Sequence, residues 1–335
     1  MIGLFIILIL VLFLPFSIKR VEENLEVFLF VMGLAAAFIS GVFDKELLGK
    51  ALTDPIKITI AVFVASLLFK WFKEPLERTI LFTSRIVPFP LFIASTIIVL
   101  GLLSSVITAI IAALVLVLII SVLKLDKKST ISYAVIGCFA IGLGAVLTPI
   151  GEPLSTIAIS KLNGDFNYLL NLLGIYIIPG VIILGIFAGF MVKLRGRHDV
   201  EDKYVEESYD DIVIRTIKIY IFVMGLTLLG AGFEPLINAY LLDLNSGILY
   251  WINMLSAVLD NATLAAAEIS PVMSTETVKA ILIGLLISGG MLIPGNIPNI
   301  ISAGKLGISS TEWARFGLPL GLVMMVVYFI VLVIG

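Results

Sequence analysis

The sequence predicts an all-α polytopic membrane protein with two inverted-topology repeats, each containing a re-entrant helical hairpin and a broken transmembrane helix. Two observations lead to this fold class. First, 60% of the residues are apolar and 14% are charged, and the apolar residues form runs long enough to cross a bilayer as helices. Second, two helix-breaking segments recur about 150 residues apart, which is typical of inverted-repeat membrane folds.

The recurring segments are rich in proline and glycine. The first reads GLGAVLTPIGEPLSTIAISK over residues 142–161, and the second reads SGGMLIPGNIPNIISAGK over residues 288–305. Pro149 and Pro153 of the first segment each align with a proline of the second. Because proline removes an amide donor and crowds the preceding turn, each segment predicts a helix interruption. A proline kink packed against its neighbours is the alternative for either segment alone.

A second pair of strings precedes the breaks and predicts the hairpins. LSSVITAIIAA at 103–113 matches LSAVLDNATLA at 255–265. Each string lies in an apolar block that we expect to enter and leave the membrane on one face, with the tips near Thr108 and Asp260. The following organisation is predicted: residues 1–54, N-terminal scaffold helices; 55–165, repeat 1, with a hairpin at about 88–123 and a broken helix at about 130–162; 166–212, a connecting helix and cytoplasmic loop; 213–306, repeat 2, with a hairpin at about 246–274 and a broken helix at about 277–305; 307–335, a C-terminal transmembrane helix.

Short polar segments separate the crossings. Segments 74–86 and 232–243 share the tripeptide Glu-Pro-Leu, and we predict both to be interfacial linkers. A plain loop capped by proline is the alternative for each. The predicted crossings lie near 2–18, 26–43, 55–71, 130–162, 168–193, 213–231, 277–305 and 316–335.

The basic residues predict the orientation. Five of the 22 Lys and Arg residues fall on one predicted face, and the remaining seventeen fall on the other. The positive-inside rule makes the second face cytoplasmic, so both termini are extracytoplasmic and the hairpins enter from opposite sides. Trp71 and Trp313 would then anchor the chain at the cytoplasmic interface, and Trp251 at the outer one. We expect a multi-pass protein of the cell membrane.

Three carboxylates interrupt otherwise apolar segments. Glu152 lies in the first break and Asp260 at the second hairpin tip, while Glu268 follows two turns along the same arm, approaching the outer surface, as a secondary candidate. A carboxylate at mid-bilayer costs about 3 kcal/mol, so such residues usually face an ion pathway. A structural role, in which the carboxyl group caps backbone amides at the break, is the alternative.

The chemistry of these acids favours a cation or a proton as their partner. No Arg, Lys or His lies deep in a predicted span. Because a carboxylate holds either a proton or a metal cation, protonation and cation binding at Glu152 and Asp260 should exclude each other. The candidate Na⁺ ligands are Asp260, Glu152, Asn261 and Asn296. The other residues expected to contact the ion are Thr108, Thr148, Gly151, Ser155, Thr263, Gly295 and Asn299.

Three motifs carry a family resemblance. LSAVLDNATLAAAEISP (255–271), TPIGEPLSTIA (148–158) and GGMLIPGNIPNIISAG (289–304) resemble the ion transporter superfamily that includes the ArsB/NhaD-type permeases. Within it, the chain is similar to a shorter group of archaeal and bacterial proteins described as cation transporters. The resemblance implies alternating access by two mobile hairpin-and-broken-helix units on a scaffold, and a homodimer.

The resemblance also implies site residues, with departures. By similarity to the sodium/proton exchanging branch, the ligand shell would contain Asp260, Asn261, Thr148, Ser155, Asn296 and Asn299. In this chain, Thr108-Ala109 replaces the Asp-Asn of the other tip, Leu154 occupies the place of Asn299, and Glu152 stands where such breaks often carry a small polar residue. Glu152 is therefore the expected source of altered selectivity.

We expect a secondary transporter, a sodium/proton antiporter in which cation and protons compete for the intramembrane carboxylates. The alternative is sodium- or proton-coupled symport of an oxyanion or small carboxylate held by half-helix amino ends. An enzyme is not expected, because an intramembrane hydrolase needs paired aspartates or a nucleophile and base, and only Asp260 is an aspartate deep in a span. Neither a resident cofactor nor a nucleic-acid partner is expected, and the partners are a small ion and the bilayer.

Overall fold

The helices begin and end where proline, glycine and charged residues interrupt the apolar runs. A computed structural model describes residues 2–193, 209–240, 244–259 and 261–334, and over these residues it contains helices and no strand. The helices are α1 (Ile2–Ser17), α2 (Lys19–Glu23), α3 (Leu25–Ser40), α4 (Lys45–Ile86), α5 (Phe89–Ile107), α6 (Ala109–Leu123), α7 (Lys127–Ala145), α8 (Pro153–Leu162), α9 (Tyr168–Met191), α10 (Tyr209–Tyr240), α11 (Ser246–Ile252), α12 (Asn261–Glu268), α13 (Thr275–Met291), α14 (Ile297–Leu306) and α15 (Ser310–Ile334), with 3₁₀ turns at Asn253–Ala257 and Ile293–Gly295.

Among the described residues, five helices are long and apolar enough to cross a membrane. They are α5, α7, α9, α10 and α15. The protein is therefore an all-α membrane protein. α5 belongs to this group with 19 residues, although its segment is predicted above as one arm of a hairpin. Its partner α6, which packs against it, is shorter at 15 residues.

The two segments predicted as interfacial linkers are helical and continue the helix before them. Residues 74–86 are the last part of α4, which spans 42 residues, and residues 232–240 are the last part of α10. Residues 241–243 lie outside the described part of the chain. Pro75 and Pro235 lie inside these helices without ending them. A single proline removes one backbone hydrogen bond, and a helix bends around that loss where the following residues still favour it.

The broken helices form the centre of the molecule. In an apolar 18-residue stretch of α7, 83% is buried inside the protein, whereas the corresponding stretch of α15 is 28% buried. α13 is buried along almost its whole length, and it packs against α7. A helix that is apolar on all sides is stable where other helices surround it. The two interruptions are therefore in the interior, enclosed by the outer helices.

The two broken helices run in opposite directions. Lys127, at the start of α7, donates a hydrogen bond to the carbonyl of Gly307, just after α14 (2.8 Å). Further along α7, the Cys138 thiol contacts the carbonyl of Pro298, near the start of α14 (3.5 Å). The first broken helix therefore begins where the second one ends.

The first hairpin arm, α5, runs alongside α7 in the same direction. Near the start of both helices, the hydroxyls of Thr96 and Tyr133 share a hydrogen bond. Near their ends, the Ser104 hydroxyl donates to the carbonyl of Ile141 (2.9 Å). α5 therefore begins at the end of the molecule at which α7 begins.

The second hairpin repeats this arrangement against α13. The Asn253 amide donates to the carbonyl of Ile281 (3.4 Å), and the Ser256 hydroxyl donates to the carbonyl of Leu285 (3.0 Å). The return arms cross to the other half of the molecule: α6 packs against α14, and α12 packs against α8. Each hairpin therefore contacts both broken helices.

Trp313 is buried inside the protein and is not an exposed interfacial anchor as the sequence analysis expects. Its side chain is fully buried, and its Nε1 donates to the carbonyl of Gly290 (3.2 Å). Trp71 is 61% exposed and Trp251 is partly buried. Gly290 is in the last turn of α13, where the helix leaves carbonyls without amide partners, and the indole satisfies one of them.

Small residues bring α3 and α10 into close contact. A Cβ atom added to Gly225 would lie 2.6 Å from the backbone nitrogen of Phe30, and one added to Gly33 would lie 2.5 Å from the carbonyl oxygen of Gly225. Backbone atoms cannot move aside as a flexible side chain can. These glycines therefore set the distance between the two helices, as small residues do in membrane helix packing.

We expect Gly225→Ala to destabilise the protein by about 1–3 kcal/mol, because the added methyl group overpacks a backbone contact. Gly49→Ala is the matched control, since Gly49 lies on an exposed face of α4 with no atom within 4 Å of the new Cβ. Thermal unfolding of the purified variants in detergent measures both effects. Equal melting temperatures for the two variants would contradict this packing.

A polar contact fastens the start of α7 to the turn between α14 and α15. The Lys127 ammonium lies 3.1 Å from the Glu312 carboxylate, which also accepts a hydrogen bond from the Ser309 amide (2.9 Å). Partial burial raises the pKa of Glu312, but the bonds from Ser309 and Lys127 outweigh it, so the net pKa is below its usual value. The carboxylate therefore stabilises the folded state above its unfolded pKa, near 4.5.

We expect Glu312→Gln to lower stability at pH 7 by less than about 1 kcal/mol, because the pair is partly exposed to solvent. The difference from wild type should disappear as the pH falls below 4.5 and through the lower folded pKa, where the wild-type carboxylate is also neutral. Thermal unfolding at pH 7 and at decreasing acidic pH measures the difference. A deficit that persists unchanged in acid would show that Glu312 acts through its shape alone.

Candidate functional site

The candidate site is built around the two interior helix interruptions. α7 ends at Ala145 and α8 begins at Pro153, while α13 ends at Met291 and α14 begins at Ile297. Each interruption leaves amides and carbonyls without the partners that a continuous helix supplies. In a membrane interior such groups need partners from protein or enclosed water. Several of the site residues form hydrogen bonds with these backbone amides and carbonyls.

The first break is joined to the tip of its own hairpin. The Thr148 hydroxyl donates to the carbonyl of Ser105, and the Ala109 amide donates to the carbonyl of Gly151 (2.9 Å). Thr108, between the two hairpin arms, has a left-handed φ of 75°, and its hydroxyl accepts a hydrogen bond from the Ile111 amide (3.5 Å). The predicted residues Thr108, Thr148 and Gly151 therefore belong to one cluster.

Gly151 is required by this close approach. A Cβ atom at this position would lie 1.9 Å from the carbonyl oxygen of Ala145, the last residue of α7. The break folds back on the helix end, and no side chain fits between them. Any larger residue would force the segment away from the hairpin tip.

The second break is satisfied largely from within. The Asn299 amide donates to the carbonyls of Gly289 and Leu292, at 2.8 Å each, and thereby supplies donors that the interrupted backbone lacks. Its Oδ1 atom is buried and has no hydrogen-bond partner among the described residues. Gly295 brings the turn against the hairpin, since a Cβ there would lie 2.8 Å from the carbonyl of Ser256.

Two further asparagines face this break. Asn296 is buried, and its Nδ2 lies 2.8 Å from where a Cβ of Gly142 would be, so it lies against α7. Asn261, the first residue of α12, is buried beside Gly289, with its Nδ2 lacking a hydrogen-bond partner in the described part of the chain. The structure thus brings Asn261, Asn296 and Asn299 to the same interruption.

Glu152 lies at the first break, immediately before α8. It is 7% exposed, and its carbonyl accepts hydrogen bonds from the Ser155 hydroxyl (2.7 Å) and the Thr156 amide (3.4 Å). Its carboxylate does not cap the helix. α8 packs against α12, the helix that Asn261 begins. Glu152 and Asn261 therefore belong to neighbouring elements from the two halves of the chain.

Two predicted residues are not described fully. Asp260 lies outside the described residues, and of Thr263 the structure describes only its place in α12. Glu268 ends α12 and is 1% exposed, so its side chain is buried inside the protein. Helix α12 turns this side chain into the bundle, against the first arm of the hairpin.

The described polar groups of the site are those that bind hard cations. Carboxylate, amide and carbonyl oxygens are the ligands that such cations prefer. Among the described residues, no three His, Cys, Asp or Glu side chains lie close enough to hold a metal ion. A cation here would therefore be coordinated by one acid together with asparagine, hydroxyl and backbone oxygens.

The sequence analysis missed a buried hydroxyl pair that holds the second hairpin to α13. Ser256 and Ser288 share a hydrogen bond (2.6 Å), and Ser288 also donates to the carbonyl of Asn253 (2.6 Å). Ser256 aligns with Ser104 in the recurring strings, and both hydroxyls bond to their own broken helix. That repeated serine was the signal that could have identified the contact.

The chain belongs to the family described as "Protein of unknown function (DUF1646)", whose model matches residues 1–334. No curated protein matches the chain. The family description names no activity, so the resemblance to ArsB/NhaD-type permeases stays a prediction.

We expect Asn299→Leu to destabilise the second break, because each carbonyl that loses its donor costs about 1–3 kcal/mol when buried. Asn171→Leu is the control, since Asn171 is an exposed residue of α9. Thermal unfolding of both variants measures the cost. A loss no larger for Asn299→Leu than for the control would contradict the structural role of this amide.

Proposed function

We propose that this member of the DUF1646 family is a secondary active transporter that exchanges sodium for protons across the cell membrane. The observation that carries the proposal is the burial of Glu152 at a helix interruption on α8, which packs against the helix beginning with Asn261. Asp260 directly precedes that helix in the sequence. Acids and asparagine amides from both halves of the chain are thus available to one ion.

The helix contacts support two inverted repeats, α4–α9 and α10–α15. Several pairs correspond: α4 contacts α6 as α10 contacts α12, and α7 contacts α9 as α13 contacts α15. The return arms exchange reciprocally, α6 with α14 and α12 with α8. The two broken helices run in opposite directions, and the first arm of each hairpin runs parallel to the broken helix of its own repeat. The two hairpins would therefore enter the membrane from opposite sides. This division extends each predicted repeat by the helix that follows its break.

The orientation follows from the same contacts and the basic residues. Lys127 bonds to Gly307, and the Ser129 hydroxyl donates to the carbonyl of Lys193 (3.2 Å), so three basic ends of the bundle meet on one side. The positive-inside rule makes this side cytoplasmic. We propose extracytoplasmic termini on this basis, and a homodimer as in the superfamily that the motifs resemble.

Exchange results from competition for the buried acids. A carboxylate in the bilayer interior is strongly destabilised unless it is protonated or paired with a cation. The two occupied forms are therefore the low-energy ones, and the empty charged form is avoided. If only occupied forms cross between the two openings, an inward proton gradient drives sodium out. The proton and sodium gradients supply comparable driving forces, because a tenfold concentration difference of either ion is worth about 1.4 kcal/mol.

A second candidate is sodium- or proton-coupled symport of an oxyanion or small carboxylate. One observation favours it: the buried Nδ2 of Asn261 is a hydrogen-bond donor without a partner among the described residues. The amino ends of α8 and α14 at the breaks would add further donors. The absence of an arginine or lysine from both breaks makes this function less favoured than exchange.

Transport assays with purified protein in liposomes containing a pH-sensitive dye test the proposal. We expect external sodium to alkalinise the lumen without any added anion. Glu152→Gln and Asp260→Asn should each slow this exchange by at least about tenfold, because each removes a group that the ion or proton occupies. Glu276→Gln, at an exposed site in the first turn of α13, is the control and should exchange normally.

The alternatives give different results in the same assay. Sodium-dependent uptake of a labelled anion with no sodium-driven pH change would establish symport and overturn exchange. Normal exchange by both acid variants would return Glu152 and Asp260 to structural roles.

A further inference from the structure

A cavity open on one side lies where the second hairpin begins, away from the two breaks. Its volume is about 150 Å³, and residues of α9, α11, α13 and α15 line it. None of the residues predicted above to bind an ion is among them. A cavity of this size holds a few water molecules or a phosphate group. The cavity is therefore a second candidate binding site, separate from the ion site.

Aromatic rings form much of the cavity wall. Tyr176, Tyr250 and Phe329 line it, and the rings of Tyr250 and Phe329 lie 5.5 Å apart. The Trp251 ring lies 5.6 Å from that of Phe329 and extends this cluster. Tyrosine and tryptophan are enriched where membrane helices pass through the headgroup region of the bilayer. The wall therefore has the composition that is typical of the level of lipid headgroups.

A lysine supplies the positive charge of the cavity. Lys279 is half-buried, and its Nζ lies 5.9 Å from the centroid of the Tyr176 ring, within the range of a cation–π contact. Glu276, one turn earlier in α13, is on the rim and exposed to water. The two side chains form no ion pair, and in the described part of the chain no other acid pairs with Lys279. An anion is therefore the partner that this lysine lacks.

The side of the membrane on which Lys279 lies makes this lysine unusual. It is one of the five basic residues on the predicted extracytoplasmic face, against seventeen on the other face. The positive-inside rule does not favour a basic residue at this place. A bound anion would explain why a lysine occupies the cavity.

The cavity adjoins the lipid-facing sides of α9 and α15. Ile175, next to Tyr176, is 76% exposed, and Ile330, next to Phe329, is 49% exposed. The Tyr328 hydroxyl donates to the carbonyl of Tyr176 (3.0 Å) and so joins the two helices beside the cavity. Because lipid tails are as apolar as these side chains, acyl chains can lie along both helices while a headgroup enters the cavity.

We infer that this cavity binds the phosphate group of a phospholipid, with Lys279 as the cation. The ammonium donates a charge-assisted hydrogen bond to a phosphate oxygen, and the Ser246 hydroxyl, on the facing α11, is a second donor. The acyl chains lie against α9 and α15. In the proposed orientation the lipid belongs to the outer leaflet. The bound phosphate joins the first arm of the second hairpin to α13, whichever ion the protein transports.

Native mass spectrometry of the delipidated protein in detergent, titrated with dioleoylphosphatidylglycerol, tests the site. We expect Lys279→Gln to weaken binding of the first lipid by about tenfold or more, because the charge-assisted hydrogen bond is lost. Lys45→Gln is the matched control, since Lys45 is an exposed lysine of the same predicted face and does not line the cavity. Glu276→Gln should also bind as wild type does. Equal affinities of Lys279→Gln and Lys45→Gln would overturn the inference.

Probes that carry only part of a phospholipid distinguish the possible ligands. Dioleoylglycerol has the acyl chains without phosphate, and glycerol phosphate has the phosphate without chains. We expect the phospholipid to raise the melting temperature of wild type more than either probe at the same concentration. An equal effect of dioleoylglycerol would show that the apolar surface alone binds lipid. An equal effect of glycerol phosphate would show a site for a soluble phosphate ester. Either result would overturn the phospholipid site.

Gly247→Leu tests the volume of the cavity without changing its charge. A Cβ atom at Gly247, which lines the cavity, would lie 3.6 Å from the Phe329 ring, an ordinary contact. Gly247→Ala is therefore the control and should bind the lipid normally, whereas leucine should fill the cavity and weaken binding about as much as Lys279→Gln. Wild-type affinity in Gly247→Leu would contradict the site. If Lys279→Gln does not fold, the two Gly247 variants decide.

The lipid site and sodium exchange fail separately. Loss of lipid binding in Lys279→Gln supports the site even if wild type shows no sodium-driven pH change. Sodium exchange that depends on Glu152, together with unchanged lipid binding in Lys279→Gln, leaves exchange in place and removes the lipid site.

Discussion

The need to satisfy backbone polar groups inside lipid controls this structure. A continuous helix meets the requirement by itself, but a helix interrupted in the interior does not. Here the missing partners come from elements in the same half of the chain. The hairpin tip supplies the Ala109 amide to Gly151, the Asn299 amide serves Gly289 and Leu292, and Trp313 serves Gly290. The backbone groups named here are thus satisfied at both interruptions.

Meeting this requirement demands very close helix packing, and the glycines make it possible. A Cβ atom on Gly144 would lie 1.7 Å from the carbonyl of Gly101, so α5 and α7 touch through their backbones. The close contact lets the hydroxyl of Ser104 reach Ile141, and it lets the hairpin tip reach the break. The glycine content of the broken helices is therefore a consequence of the hairpins lying on them, beyond the interruption itself.

Much of the architecture could be predicted from sequence because it depends on local signals. Proline spacing located both interruptions, and the apolar block around Thr108 gave a hairpin whose two helices meet at that residue. Predictions that depended on distant contacts were less successful. Tryptophan is a residue type typical of interfacial anchors. In this protein the Trp313 indole is buried because it donates to the free carbonyl of Gly290, 23 residues earlier in the chain. Glu268 has a polar side chain near a loop, and its burial depends on how α12 packs against four other elements.

The helical state of the two predicted linkers also depends on distant contacts. A helix that continues through Pro75 or Pro235 needs neighbours that support it. α4 and α10 contact each other, and α10 also packs closely along α3. Their support comes from residues far away in the chain, which the periodicity of the segment itself does not show.

The two breaks differ in how they are satisfied, and this difference has a consequence for movement. The first break depends on its hairpin, because the bonds from Thr148 to Ser105 and from Ala109 to Gly151 would be lost if they separated. In the second break, Asn299 provides the donors from α14 itself, so the hairpin tip is not needed to satisfy those carbonyls. Moving the second hairpin away from its break therefore breaks neither of the Asn299 hydrogen bonds. Under the proposed exchange, a change of charge on Asp260 or Glu268, which the sequence places on that second hairpin, would be converted into a change of position.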